Sequence, residues 1–96
     1  MKQNWNKFES GLLVKMLPVE NPLNQCGIIC ELTRRGLHSS SCRDAIRSLR
    51  DNTAGFWNNY LVSDFANAAL DLMGWDDYNG ERDEVKALIS ARLAFD

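Results

Sequence analysis

Three groups of residues in this chain have the types and spacing to do chemistry. The first is sulfur and imidazole. Cys26 and Cys30 are four apart, and so are His38 and Cys42. The set reads Cys-x3-Cys followed by His-x3-Cys, a Cys3His ligand count for zinc. Structural zinc sites commonly hold one cysteine pair on a Cys-x2-Cys knuckle. Here the cysteines interleave with Ile28, Ile29, Ala45 and Ile46, which reads as small apolar core positions. No metal and no cofactor is expected. Three cysteines cannot close into a full disulfide set within one chain, and free thiols suit a reducing cytoplasm.

Nucleophilic catalysis would need His38, the sole histidine, beside Ser39, Ser40 and Ser41. A triad also needs an orienting acid and a positioned nucleophile. The chain has no Gly-x-Ser-x-Gly elbow, no phosphate-cradling glycine loop, no His-Glu-x-x-His and no Cys-x-x-Cys. A Cys42–His38 pair reads more simply as a core cysteine near a surface histidine. The expectation is a binding protein and not an enzyme.

The second and third groups are charged. Residues 34–63 hold five arginines against Asp44 and Asp51, a net +3. Residues 64–96 hold eight acids against Arg82, Lys86 and Arg92, a net -5, and residues 1–33 balance. One end of the domain is therefore expected to be basic and the other acidic. The acidic group is Asp71, Asp76, Asp77, Glu81, Asp83 and Glu84, interleaved with Trp75 and Tyr78. Its bland reading is a solvated loop with acids at a helix start. Its sharper reading is a face for a basic partner, with aromatic anchors and carboxylate steering. A calcium loop with its glycine at Gly80 would run from Trp75 to Lys86 and lack its first and last ligands. The basic group, Arg34, Arg35, Arg43, Arg47 and Arg50, offers an alternative face for phosphates, as in a helix-turn-helix. The chain's net charge of -2 argues against nucleic acid as the partner.

These groups need elements to position them. Nothing alternates like a strand, and apolar residues recur at helical steps. A first helix is expected over about Trp5–Leu17, with Trp5, Phe8, Leu12 and Met16 on one face and Pro18 as its stop. A second opens at Asn21-Pro22, as N-cap and first helical residue. It buries Cys26, Ile29, Cys30 and Thr33, widened by Leu23, Ile28 and Leu32, and ends at Gly36. A third follows the serines, with Ser41 and Asp44 spaced as a capping box, and buries Cys42, Ala45, Ile46 and Leu49. A fourth, over about Phe56–Met73, is apolar on more than half its circumference and is expected to be central. Gly74 caps it. A fifth opens with Glu81, Asp83 and Glu84 and buries Val85, Leu88, Ile89 and Leu93. Trp57 is expected inside and Trp75, after its glycine cap, outside. Short connections make neighbours antiparallel. The expected fold is all-α, a compact antiparallel bundle of four to five helices in one domain over 1-96.

The run Val62-Ser-Asp-Phe-Ala-Asn-Ala-Ala-Leu-Asp-Leu-Met-Gly-Trp-Asp-Asp-Tyr-Asn-Gly80, with Val85 to Ile89, resembles the C-terminal part of small all-helical bacterial immunity proteins. These include proteins of contact-dependent growth inhibition. The Ala-Ala-Leu-Asp-Leu-Met-Gly segment is also similar to the second helix of a HEAT-like repeat. The resemblance covers about a third of the chain and rests on packing residues. It implies a cytoplasmic toxin inhibitor that occludes the active site of a cognate toxin. Many such toxins are basic nucleases, which an acidic patch suits. It carries no site residues across by itself.

Length and composition agree with such a role. Ninety-six residues, 45% hydrophobic, suffice for one modest core. The longest apolar stretch, Ala66–Met73, is broken by Asn67 and Asp71, so no membrane span and no membrane partner is expected. No secretion signal is visible. The function expected is an immunity protein, monomeric when free, that neutralises a cognate toxin protein. The alternatives are a phage-encoded inhibitor of a host enzyme, a small nucleic-acid-binding regulator using the arginines, and an adaptor dimerising through Trp57 and Tyr60.

Overall fold

The structure is a computed structural model that describes residues 5–36, 39–57, 60–76 and 84–95, with the backbone alone at 56–57 and 91–95. Helices α1 (Ser10–Met16), α2 (Pro22–Arg35), α3 (Ser40–Arg47), α4 (Val62–Leu72) and α5 (Glu84–Phe95) make an all-α bundle. A small antiparallel pair, β1 (Gly55–Trp57) and β2 (Tyr60–Leu61), precedes α4. No helix among the described residues is long and apolar enough to cross a membrane.

Two helices carry the core. α4 packs against α2, α3 and α5. Its Ala66, Ala68 and Ala69 are buried beside Val62, Phe65 and Leu70, and small side chains let neighbouring backbones approach. The wide apolar circumference of this segment reflects that central place. α2 buries Cys26, Ile28, Ile29, Cys30, Leu32 and Thr33, while Leu23, expected to widen that face, is exposed. Its ends follow the sequence. The Asn21 side chain accepts from the Asn24 N–H at 2.9 Å, and Gly36 closes the helix at φ +62°.

Three expectations need correction. The first helix is not continuous from Trp5. Residues 5–7 form a 3-10 turn, Glu9 is extended, and α1 starts at Ser10. The extended residue resets the helical phase, so Leu13 and Leu17 are buried and Leu12 is exposed. Pro18 starts a second 3-10 turn over Leu17–Val19 instead of ending the segment outright. In α3 the cap is Ser39, whose hydroxyl accepts from the Cys42 N–H at 3.1 Å. Ser41 then lies inside the helix, and Asp44 falls two residues past the position from which it could complete a capping box with Ser39.

The fourth helix begins at Val62, six residues later than expected, because Gly55–Trp57 and Tyr60–Leu61 pair as strands. Gly55 pairs with Leu61 and Trp57 with Tyr60. Aromatic residues suit a pleated ribbon, and the intervening Asn58-Asn59 are types favoured in short connections. The helix start is then specified by Asp64, whose carboxylate accepts from the Leu61 N–H at 3.0 Å. The Val62 and Ser63 N–H groups donate to Ala54 and Asn52, which ties the ribbon to the preceding loop.

Gly27 on α2 lies against the Trp5 indole, and a Cβ there would overlap the ring nitrogen. Trp5 is buried and packs on Phe8 with ring centroids 5.8 Å apart. Gly27→Ala is expected to lower stability by about 1–3 kcal/mol, although alanine is the better helix former. Urea denaturation of Gly27→Ala alone and with Trp5→Leu checks this. The second change should restore part of the loss.

Candidate functional site

The candidate surface is built by the end of α4. Gly74 adopts φ +78°, a left-handed conformation that favours glycine. Its N–H donates to the Asp71 carbonyl and that of Trp75 to the Leu70 carbonyl, both at 2.9 Å. This is a Schellman closure, in which the residue after the glycine folds back on the helix. Trp75 is consequently half-buried against the core, not fully outside as expected. The Asp76 N–H also reaches the Leu70 carbonyl, at 3.3 Å, and its side chain turns towards α3.

There it meets the basic group. Arg47 donates to both Asp76 oxygens, Nε to Oδ2 at 2.8 Å and Nη2 to Oδ1 at 2.7 Å. Arg50 Nη1 lies 3.7 Å from Oδ2. Arg50 is held in turn by Asn67, which accepts from Nε at 3.2 Å and donates to the Arg50 and Ser63 carbonyls. The hydrogen bonds from Arg47 hold the Asp76 carboxyl below its usual range, and those same bonds raise the Arg47 guanidinium. The expected separation into a basic end and an acidic end is thus corrected: the two meet at this pair. Beside it, Lys86 Nζ donates to Asp71 Oδ2 at 2.7 Å, linking α5 to α4. Asp71, Gly74, Trp75 and Asp76 line an open depression of about 330 Å³. Trp75 therefore shares this depression with one carboxylate from each ion pair.

Arg34 and Arg35 have a different task. Both donate to the buried Glu31 carboxylate. Arg35 also donates to the Ser10 hydroxyl at 2.8 Å and the Phe8 carbonyl at 2.7 Å, with longer bonds to the carbonyls of Trp5 and Asn6. One guanidinium thus pins the N-terminal 3-10 turn to α2, using the several donors of its planar fork. Arg43 pairs with Asp44 at 3.2 Å. The five arginines expected to share one basic face are divided between two tasks. Arg34 and Arg35 hold Glu31, with Arg35 reaching across to the N-terminal region, and Arg43, Arg47 and Arg50 lie on α3 and the turn after it.

Of the expected acidic face, Asp71, Trp75 and Asp76 converge, and Glu84 is exposed at the start of α5. Asp77, Tyr78, Glu81 and Asp83 lie outside the described residues, as does His38 of the zinc count. Cys26, Cys30 and Cys42 are buried thiols that are not joined in disulfides. Burial pushes the Cys42 thiol up to about 11, which opposes thiolate chemistry. Among the described residues no group of three His, Cys, Asp or Glu is placed to hold a metal ion. The sequence reading did not anticipate Glu31, Asn67 or Lys86. The spacing of Glu31 with Arg34 and Arg35, three and four residues on, is the signal for the first. Asn67 and Lys86 have no such local signal. Compared with family models, curated proteins and solved structures, the chain matches none.

Burial opposes ionisation of Glu31, but the hydrogen bonds from Arg34 and Arg35 outweigh it and lower its pKa from 4.5. A lowered folded value adds stability that is complete above the unfolded value and is lost as pH falls through the folded one. Glu31→Gln is therefore expected to cost about 1.5 kcal/mol near neutrality. The gap from wild type should narrow below pH 4.5. Chemical denaturation across acid pH measures it.

Proposed function

We propose that this chain is a protein-binding inhibitor, an immunity protein that neutralises a cognate bacterial toxin by occluding its active site. The observation that carries this reading is Trp75, partly buried after the Gly74 closure and lining an open depression with Asp71 and Asp76, whose carboxylates pair with Lys86 and Arg47. A rigid aromatic side chain with charged groups at its rim is the anatomy of a protein interface. Five acids against Arg82 over residues 76–84 favour a basic partner, such as a nuclease, and steer its approach. Resemblance of the 62–80 run to immunity proteins supports the same class. The protein acts in the cytoplasm, as a monomer when free, and needs no cofactor.

The pair at Asp76 changes how the reading is tested. Reversing Asp76 would set a cation among three arginines and disturb the helix packing itself. The informative variant reverses Asp77, Glu81, Asp83 and Glu84 to Lys and leaves Asp76 intact. Tagged wild-type protein should capture one stoichiometric partner from source-cell lysate, should inhibit that partner's activity when both are purified, and should lose both properties in the variant. A partner whose activity is unaffected by wild-type protein, or an inhibition that survives the reversal, would contradict the proposal.

A further inference from the structure

One charged cluster among the described residues brings Arg47 and Arg50, with Arg43 nearby, to the one carboxylate of Asp76. Arg47 binds both carboxylate oxygens in the planar fork geometry of a recognition contact. Asn67 holds Nε of Arg50, and Nη1 of the same guanidinium lies 3.7 Å from Asp76 Oδ2. Cation outnumbers anion here, since Arg43 already has Asp44 and Asp76 faces two guanidiniums. The arginine side chains are 37% and 36% exposed, so a second oxyanion can approach the same N–H groups. Asp76 itself is 29 residues away in sequence from Arg47 and also lines an open depression with Asp71, Gly74 and Trp75. The cluster therefore has the form of a binding site with its ligand supplied by the same chain.

We propose that Arg47 and Arg50 form a docking site for a carboxylate on an acidic segment of another protein, and that Asp76 closes it in cis as an autoinhibitory contact. A peptide carboxylate is the favoured occupant because Asp76 is one, and it already satisfies the fork. A nucleic-acid backbone is disfavoured by the chain's net charge of -2. While the site is closed, apparent affinity falls by the fraction of open molecules. Removing the charge of Asp76 opens it.

The test is fluorescence anisotropy of a labelled oligoglutamate peptide with purified wild type, Asp76→Asn, and Asp76→Asn combined with Arg47→Gln, at low ionic strength. Asp76→Asn is expected to bind about tenfold more tightly than wild type, the factor for a site closed about nine-tenths of the time. The double variant should lose the gain. An Asp76→Asn protein that binds no tighter than wild type overturns the proposal, and so does tighter binding of an oligothymidine strand than of the peptide. If circular dichroism shows that Asp76→Asn does not fold, wild type is compared with Arg47→Gln. Weak peptide binding present in the first and absent from the second supports the site, while equal binding or none by wild type overturns it. The assay uses purified components, so its result is separate from that of the lysate capture.

Discussion

The grip of Arg47 on Asp76 joins two parts of the chain whose net charges are opposite. It ties the turn after α4 to α3 next to the half-buried Trp75. With it, the helix that carries the positive charge and the turn that opens the acidic run form one surface. The Schellman closure at Gly74 makes this possible, because it folds the chain back over Leu70 and aims Asp76 sideways. Asn67, one helical turn before Asp71 on the same helix, fixes Arg50 from below. The surface is therefore mixed in charge beside an aromatic side chain, unlike the purely acidic patch that composition suggests.

A second lock works at the other end of the bundle. Glu31, Arg34 and Arg35 form a charge cluster at the C-terminal end of α2, where cations also complement the helix dipole. Arg35 carries this cluster across to the 3-10 turn at Trp5, and Gly27 makes room for the indole. A bundle of this size has a modest core, so such polar ties matter more than they would in a larger domain. All buried polar side-chain atoms among the described residues have hydrogen-bond partners, as these ties require.

Much of the fold is legible from local signals. Asn21-Pro22 and Gly36 bound α2 as their residue types require, and the small, apolar circumference of residues 62–72 marks the central helix. Departures arise where a local signal is ambiguous. Trp5, Phe8 and Leu12 keep a helical spacing across Glu9, but the extended backbone there breaks the phase. Phe56, Trp57, Tyr60 and Leu61 keep one as well, yet aromatic residues around two asparagines suit a ribbon equally, and Asp64 decides the helix start. The site was legible in composition and not in pairing. Trp75 and Asp76 stand out as an aromatic beside an acid, but nothing local says that Asp76 meets an arginine 29 positions away. Long-range ion pairs depend on how helices cross, which periodicity does not encode.

The most direct test of the account is an NMR titration of the Asp76 carboxyl in wild-type protein and in Arg47→Ala. The ordinary value for an aspartate is 3.8. The account predicts a midpoint below it in wild type and a return towards it in the variant, because the lowering comes chiefly from the Arg47 hydrogen bonds. An Asp76 that titrates at the ordinary value in both proteins would show that the two charged regions do not meet as described. The arrangement of the surface around Trp75 would then have to be rebuilt.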